Sequence, residues 1–143
     1  MNIFLNSSGI QEEGSCVSKA VSLGDFVYVS GQTGKGNTIA EQTISCANAL
    51  MDAVEPFGLK MHHLVKFTVY LKNLDDKKEF LDVFSKFIEP PFPSCTLIQA
   101  ARLENDALVC IEALGVNTLR YEKAQKEHSC SGGCSHCDGD CQN

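Results

Sequence analysis

The sequence predicts an α+β protein, with a mixed six-stranded sheet carrying two helices on one face. Three observations lead there. Two segments repeat apolar residues at helical spacing, and each is followed by a β-rich segment. Runs of β-branched and aromatic residues open and close the chain around them. The resulting order, ββ(β)αβ-αββ, makes each helix a crossover over one face of a shared sheet.

Asn2 to Leu5 is short and apolar, as an edge strand would be, and Ser7 to Ser15 is loop-like. Val17 to Val21 alternates as a strand, Leu23-Gly24-Asp25 supplies a turn, and Phe26 to Val29 completes a hairpin. Ser30 to Asn37 reads as a glycine-rich loop containing Gly31, Gly34 and Gly36. Thr38 is placed to cap the first helix with Glu41 as capping-box partner. Ile44, Ala47, Leu50, Met51 and Val54 follow as its stripe, and Pro56-Phe57-Gly58 stops it. Leu64 to Leu71 alternates, with Val65, Phe67, Val69 and Leu71 on one face and Lys66, Thr68 and Tyr70 on the other. Asn73 or Asp75 caps a second helix with an apolar stripe of Phe80, Val83, Phe84, Phe87 and Ile88, ended by Pro90-Pro91. Phe92 to Gly115 reads as a hairpin turning at Glu104-Asn105-Asp106. Within it Val109, Ile111 and Ala113 form an apolar set, while Leu108, Cys110, Glu112 and Leu114 form a mixed one. A half-apolar open face predicts a partner subunit and a symmetric homo-oligomer.

The chain has 143 residues, which fits one domain. Its net charge of −6 argues against a nucleic-acid partner, because phosphate binding relies on clustered Lys and Arg. No apolar run approaches bilayer length, so no membrane partner is expected. The first residues lack a basic start followed by an apolar core, so no signal peptide is expected and the protein is placed in the cytoplasm. There the eight cysteines would be reduced thiols or metal ligands. Cys16, Cys46, Cys95 and Cys110 are scattered, whereas Cys130, Cys134, Cys137 and Cys141 crowd the last 14 residues. The division expected is a domain over 1–117 and a polar extension over 118–143, with a short helix from Val116 to Glu127 and then a mobile tail unless a metal orders it.

Cys95 and Cys110 read either as small buried residues or as a thiol pair acting as nucleophile, redox group or metal ligand. A hairpin would separate them by roughly 13 Å, beyond disulfide reach. The four tail cysteines suit Zn2+ or another soft metal, with a disordered Cys-rich tail or a redox or disulfide role as the alternatives. His62 and His63 read as a solvated linker.

Five stretches together resemble the RidA family, also called YjgF or L-PSP proteins. They are Ser18 to Val21, Phe26 to Gln32, Val65 to Leu71, Phe92-Pro93, and Ile111-Glu112-Ala113, and the match covers residues 10–117. The resemblance implies a chorismate-mutase-like fold. It also implies a homotrimer with a central barrel and small-molecule clefts between subunits, needing no cofactor. The family's best-known activity is hydrolysis of 2-imino acids to 2-oxo acids and ammonia, and some members are described as endoribonucleases. Deaminating members carry an arginine in Phe-Pro-Ala-Arg-Ser that holds the substrate carboxylate, a planar fork matched to a planar anion. A glutamate in Ile-Glu-Ile-Glu places the attacking water, and a tyrosine in Gly-Pro-Tyr-Ser-Gln borders the site.

The chain departs from each motif. Cys95 falls at the arginine, Cys110 at the water-placing glutamate, and Val17 at the tyrosine, with Cys16 near it in another register; Glu112 is kept. The catalytic candidates are therefore Cys95, Cys110 and Glu112. The cleft candidates are Val17, Ser30, Gly31, Gln32, Leu81 and Phe84. Without the arginine, a carboxylate loses about 1.5–3 kcal/mol of binding, or roughly ten- to a hundredfold.

Overall fold

The computed structural model describes residues 3–5 and 16–127. Six strands form one sheet: β1 (Ile3–Leu5), β2 (Ala20–Leu23), β3 (Phe26–Thr33), β4 (Leu64–Leu71), β5 (Ser94–Gln99) and β6 (Val109–Val116). Two helices, α1 (Ile39–Val54) and α2 (Lys77–Phe84), pack on one face. The spatial order is β1-β2-β3-β6-β4-β5. Every pairing is antiparallel except β4 with β5. The α+β expectation holds.

The hairpin expected from Phe92 to Gly115 does not form. β4 lies between β5 and β6. The reason is visible at the end of β4. Ala100 donates its N–H to Leu71 O at 2.8 Å, and Lys72 donates to Leu108 O at 3.0 Å. The connection therefore leaves one flank of β4 and returns on the other. Its turn, at Asn105 and Asp106, has positive φ at both residues, a conformation that Asn and Asp tolerate better than most.

The first helix is capped as its sequence predicts. Thr38 Oγ1 accepts from Glu41 N at 3.1 Å, and Glu41 Oε2 accepts from Thr38 N at 3.3 Å. Its buried stripe runs through Ile39, Thr43, Cys46, Ala47, Leu50 and Val54. Ile44, expected in that stripe, is exposed because Thr43 and Cys46 supply the inward face instead. On α2, Phe80 stacks on Phe84, and Phe84 meets Phe67 of β4 edge to face.

Three strand details differ from the sequence reading. β2 begins at Ala20 rather than Val17. β3 continues through Thr33, taking in Ser30, Gly31 and Gln32, because the long β6 pairs with it as far as Thr33↔Cys110. Val65 is exposed, since the β4–β6 register shifts between Leu64 and Lys66. Beyond that shift Phe67, Val69 and Leu71 are fully buried as expected.

A third helix, α3 over 119–127, follows β6. Asn117 Oδ1 accepts from Leu119 N at its start, and Arg120 reaches Asp25 at 2.7 Å. No helix among the described residues is long and apolar enough to cross a membrane. The loop expected over Ser7 to Ser15, the mobile tail and the candidate metal ligands Cys130, Cys134, Cys137 and Cys141 lie outside the described residues.

Candidate functional site

The alternation of β6 separates core from open face. Val109, Ile111 and Ala113 are buried under the helices, while Cys110, Glu112 and Leu114 point to the uncovered side. Pairing with β4 sets Lys66 beside Leu114, Thr68 beside Glu112 and Tyr70 beside Cys110. The Tyr70 hydroxyl donates diagonally to Glu112 Oε1 at 3.0 Å. On the other flank, β3 bulges between Val29 and Gln32. A Cβ at Gly31 would come 2.8 Å from Cys110 Sγ. The space left by the missing side chain of Gly31, expected to admit a ligand, is bordered first by the Cys110 thiol. A shallow hollow of about 250 Å3 beside these groups is lined by Tyr28, Lys66, Thr68, Glu112 and Leu114.

The electrostatics bear on the thiol and the phenol. Burial first, then the charges of Glu104 and Glu112, push the Cys110 thiol up. It is a neutral thiol at neutral pH and a poor nucleophile. Tyr70 is also raised, chiefly by its hydrogen bond to Glu112 and by the charge of that carboxylate. The site is thus a carboxylate held by a phenol, next to a neutral thiol.

Cys95 does not join them. It pairs with Phe67 on the edge strand β5, so it shares the helix-side face of that residue. Cys110 pairs with Tyr70 on the other flank of β4. Three residues along and two strands across is roughly 14 Å between Cα atoms, so the pair remains beyond disulfide reach. The Cys95 thiol is raised by burial. Cys46, under the sheet, donates to Gln32 O at 3.1 Å and is pushed up to about 12 by burial and then by Cys110.

The cleft candidates also separate. Ser30 donates to Ser18 O at 2.7 Å and ties down the segment that leads into β2. Gln32 Nε2 donates to Ser30 O across the bulge. Val17 is 69% exposed, and Leu81 is exposed on α2. Phe84 is a core residue, stacked among Phe67 and Phe80, and cannot line a cleft. Arg102 is spent at the turn, beside Asp106.

His62 is exposed, as expected of a solvated linker, but His63 is not. His63 is buried, and both face Glu122 of α3. Ligand atoms of these three residues lie within 4.8 Å of one another, which resembles a His-His-Glu metal site. The hydrogen bonding contradicts that use. Lys60 donates its N–H to His63 Nδ1 at 2.9 Å, so a neutral ring carries its proton on Nε2 and offers no lone pair there. Nε2 faces the Glu122 carboxylate at 3.4 Å. Partial burial pushes Glu122 up, but the hydrogen bond from His63, with help from Thr118 and His62, outweighs it and holds the carboxyl below its usual range. The cluster is a latch for α3.

Sequence reasoning missed Tyr70, Gln42 and His63. Buried Gln42 donates to Gly36 O at 3.0 Å and accepts from Leu108 N at 2.7 Å, stapling α1 to the start of β6. Only the β4–β6 pairing reveals Tyr70, since the assumed hairpin paired β6 with β5.

The family described as Endoribonuclease L-PSP matches residues 10–117. A RutC family protein of Pyrococcus abyssi is 33% identical over 68% of this chain and 83% of its own length. A protein of Dermatophagoides farinae named 2-iminobutanoate/2-iminopropanoate deaminase is 31% identical over 69% of this chain and 84% of its own. Among solved structures, a YjgF/YER057c/UK114 family member from Mycobacterium tuberculosis aligns with TM-score 0.74 and 25% identity, covering 81% of this chain and 99% of that one. RidA from a Psychrobacter species aligns with TM-score 0.72 and 25% identity, covering 79% and 98%. With the family match spanning most of the chain and the whole sheet from β2 to β6 inside it, this protein belongs to the RidA/YjgF/L-PSP family.

Proposed function

We propose that this chain is a cytoplasmic homotrimer that binds a small metabolite in its inter-subunit clefts and hydrolyses 2-imino acids, more slowly than members carrying the arginine. The observation that supports this reading is the Glu112 carboxylate on the open face of β6, ordered by Tyr70, in a chain related to a named imine deaminase. A carboxylate beside a neutral thiol can take a proton from water. Cys95 lies apart from Glu112 within one subunit and would enter the cleft from a neighbouring one; it cannot make the bidentate contact to a substrate carboxylate that an arginine makes, so the weakness falls on binding. RNA cleavage is disfavoured by the net charge of −6.

The test generates 2-iminobutanoate with a threonine dehydratase and follows ammonia release. Acceleration above the uncatalysed rate supports the reading, and Cys95→Arg should lower KM. No acceleration by the wild type would sink it, and activity gained only in Cys95→Arg would show that the cleft is otherwise competent. A second proposal rests on the four cysteines of 130–141: they bind a soft metal such as Zn2+. Zinc stoichiometry with and without residues 128–143 decides that point, and equal values would remove it.

A further inference from the structure

We infer that Tyr70 is a positioning residue for Glu112, fixing one carboxylate oxygen so that the other is free to accept a proton from the attacking water. This rests on the imine-hydrolase reading above and adds to it a residue that the family's motifs do not assign.

The position on β6 that aligns with the water-placing glutamate carries Cys110. The nearest carboxylate on the same face is Glu112, two residues along and beside the depression formed with Thr68 and Lys66. A glutamate on an open sheet face has three side-chain torsions and no fixed aim. Tyr70 removes that freedom. Its Cα partner in the ladder is Cys110 and its hydrogen bond goes to Glu112, so the phenol reaches diagonally past the short thiol side chain. Diagonal neighbours are within range only of long or aromatic side chains. The bond occupies Oε1 and leaves Oε2. The raised ionisation of Tyr70 keeps it a donor across the physiological range.

The step then balances as follows. Water oxygen attacks C2 of the protonated imine while Glu112 Oε2 takes one water proton. The C–N π pair moves to nitrogen, giving a carbinolamine. Glu112 returns its proton to that nitrogen, the C–N bond breaks with its electron pair leaving on ammonia, and the hydroxyl proton passes to solvent as the 2-oxo acid forms. Tyr70 exchanges no proton in this sequence.

The test uses the full chain as wild type, Tyr70→Phe and Glu112→Gln, with two readouts. In tyrosinate absorbance titration, the difference between wild type and Tyr70→Phe isolates one phenol. It should ionise above the ordinary tyrosine value of about 10, and Glu112→Gln should bring it back down. In the 2-iminobutanoate assay, Tyr70→Phe should lower kcat about tenfold with KM little changed, and adding it to Glu112→Gln should cost nothing more. An active wild type with kcat unchanged in Tyr70→Phe would overturn this inference and leave the imine-hydrolase reading standing. An inactive wild type would overturn both, whatever the titration shows. A phenol titration unaffected by Glu112→Gln would also overturn the inference, because the hydrogen bond would not exist in solution.

Discussion

Single side chains set the tightest constraints on this molecule. Gly31→Ala places a Cβ 2.8 Å from the Cys110 sulfur, and overpacking of this kind costs about 1–3 kcal/mol. Cys110→Ala removes the obstructing atom, so the double variant should recover much of the loss. A double-mutant cycle in urea measures this, and additive losses would show that the contact is not what demands glycine. The thiols should also separate by reactivity. Cys16 is exposed, Cys110 half-buried and raised, and Cys46 buried with its ionisation near 12. Maleimide labelling at neutral pH, mapped by mass spectrometry, should modify Cys16 well before Cys110 and leave Cys46 untouched until unfolding. Gln42 satisfies two backbone groups from one amide. Gln42→Ala should cost about 1–3 kcal/mol, because the Leu108 N–H it leaves behind is only partly accessible to water.

Elements show how far local pattern carries and where it stops. The capping box of α1 was legible because Thr38 and Glu41 need only each other and the backbone between them. Thr38→Ala should lower stability by about 0.5–2 kcal/mol in thermal or urea unfolding. The core face of β6 was legible for a similar reason, since strand alternation is a property of one strand. The partner of β6 was not. A polar turn between two apolar runs suggests a hairpin, and nothing within Phe92 to Gly115 records that β4 slots between them. That error hid the site, because Tyr70 meets Glu112 only across the β4–β6 ladder. The phase of α1 failed more mildly. Ile44 is apolar, but polar Thr43 could go inside because its hydroxyl donates to Ile39 O within the same helix. His63 was misjudged because its partner Glu122 lies 59 positions away. Phe80 and Phe84 show the reverse case, where helical spacing alone identified both core residues.

For the whole molecule, the attachment of α3 has a definite pH dependence. The folded ionisation of Glu122 lies below its ordinary value. Its contribution is therefore full above the ordinary carboxylate value of about 4.3 and is lost as pH falls through the lower, folded value. Protection of the amides over 119–127, relative to their intrinsic exchange rate at each pH, should be high at neutral pH and fall as pH drops below the ordinary carboxylate value. Glu122→Gln should raise exchange at neutral pH and flatten that dependence; an unchanged profile would mean that Arg120 and Leu119 hold the helix without it.

The position of β6 also bears on how the protein is made. This strand is the last of those described yet lies third from one edge and fourth from the other, joining β1-β2-β3 to β4-β5. Until residue 109 has been synthesised, β3 and β4 each present an unsatisfied inner edge with no partner on that side. The nascent chain is then two half-sheets, exposed to pairing with neighbouring chains. Its contacts close late and over long separations, which slows folding. A chain cut after Leu108 should therefore aggregate rather than fold partially, and adding a separate peptide spanning 109–127 during refolding should rescue a soluble fraction.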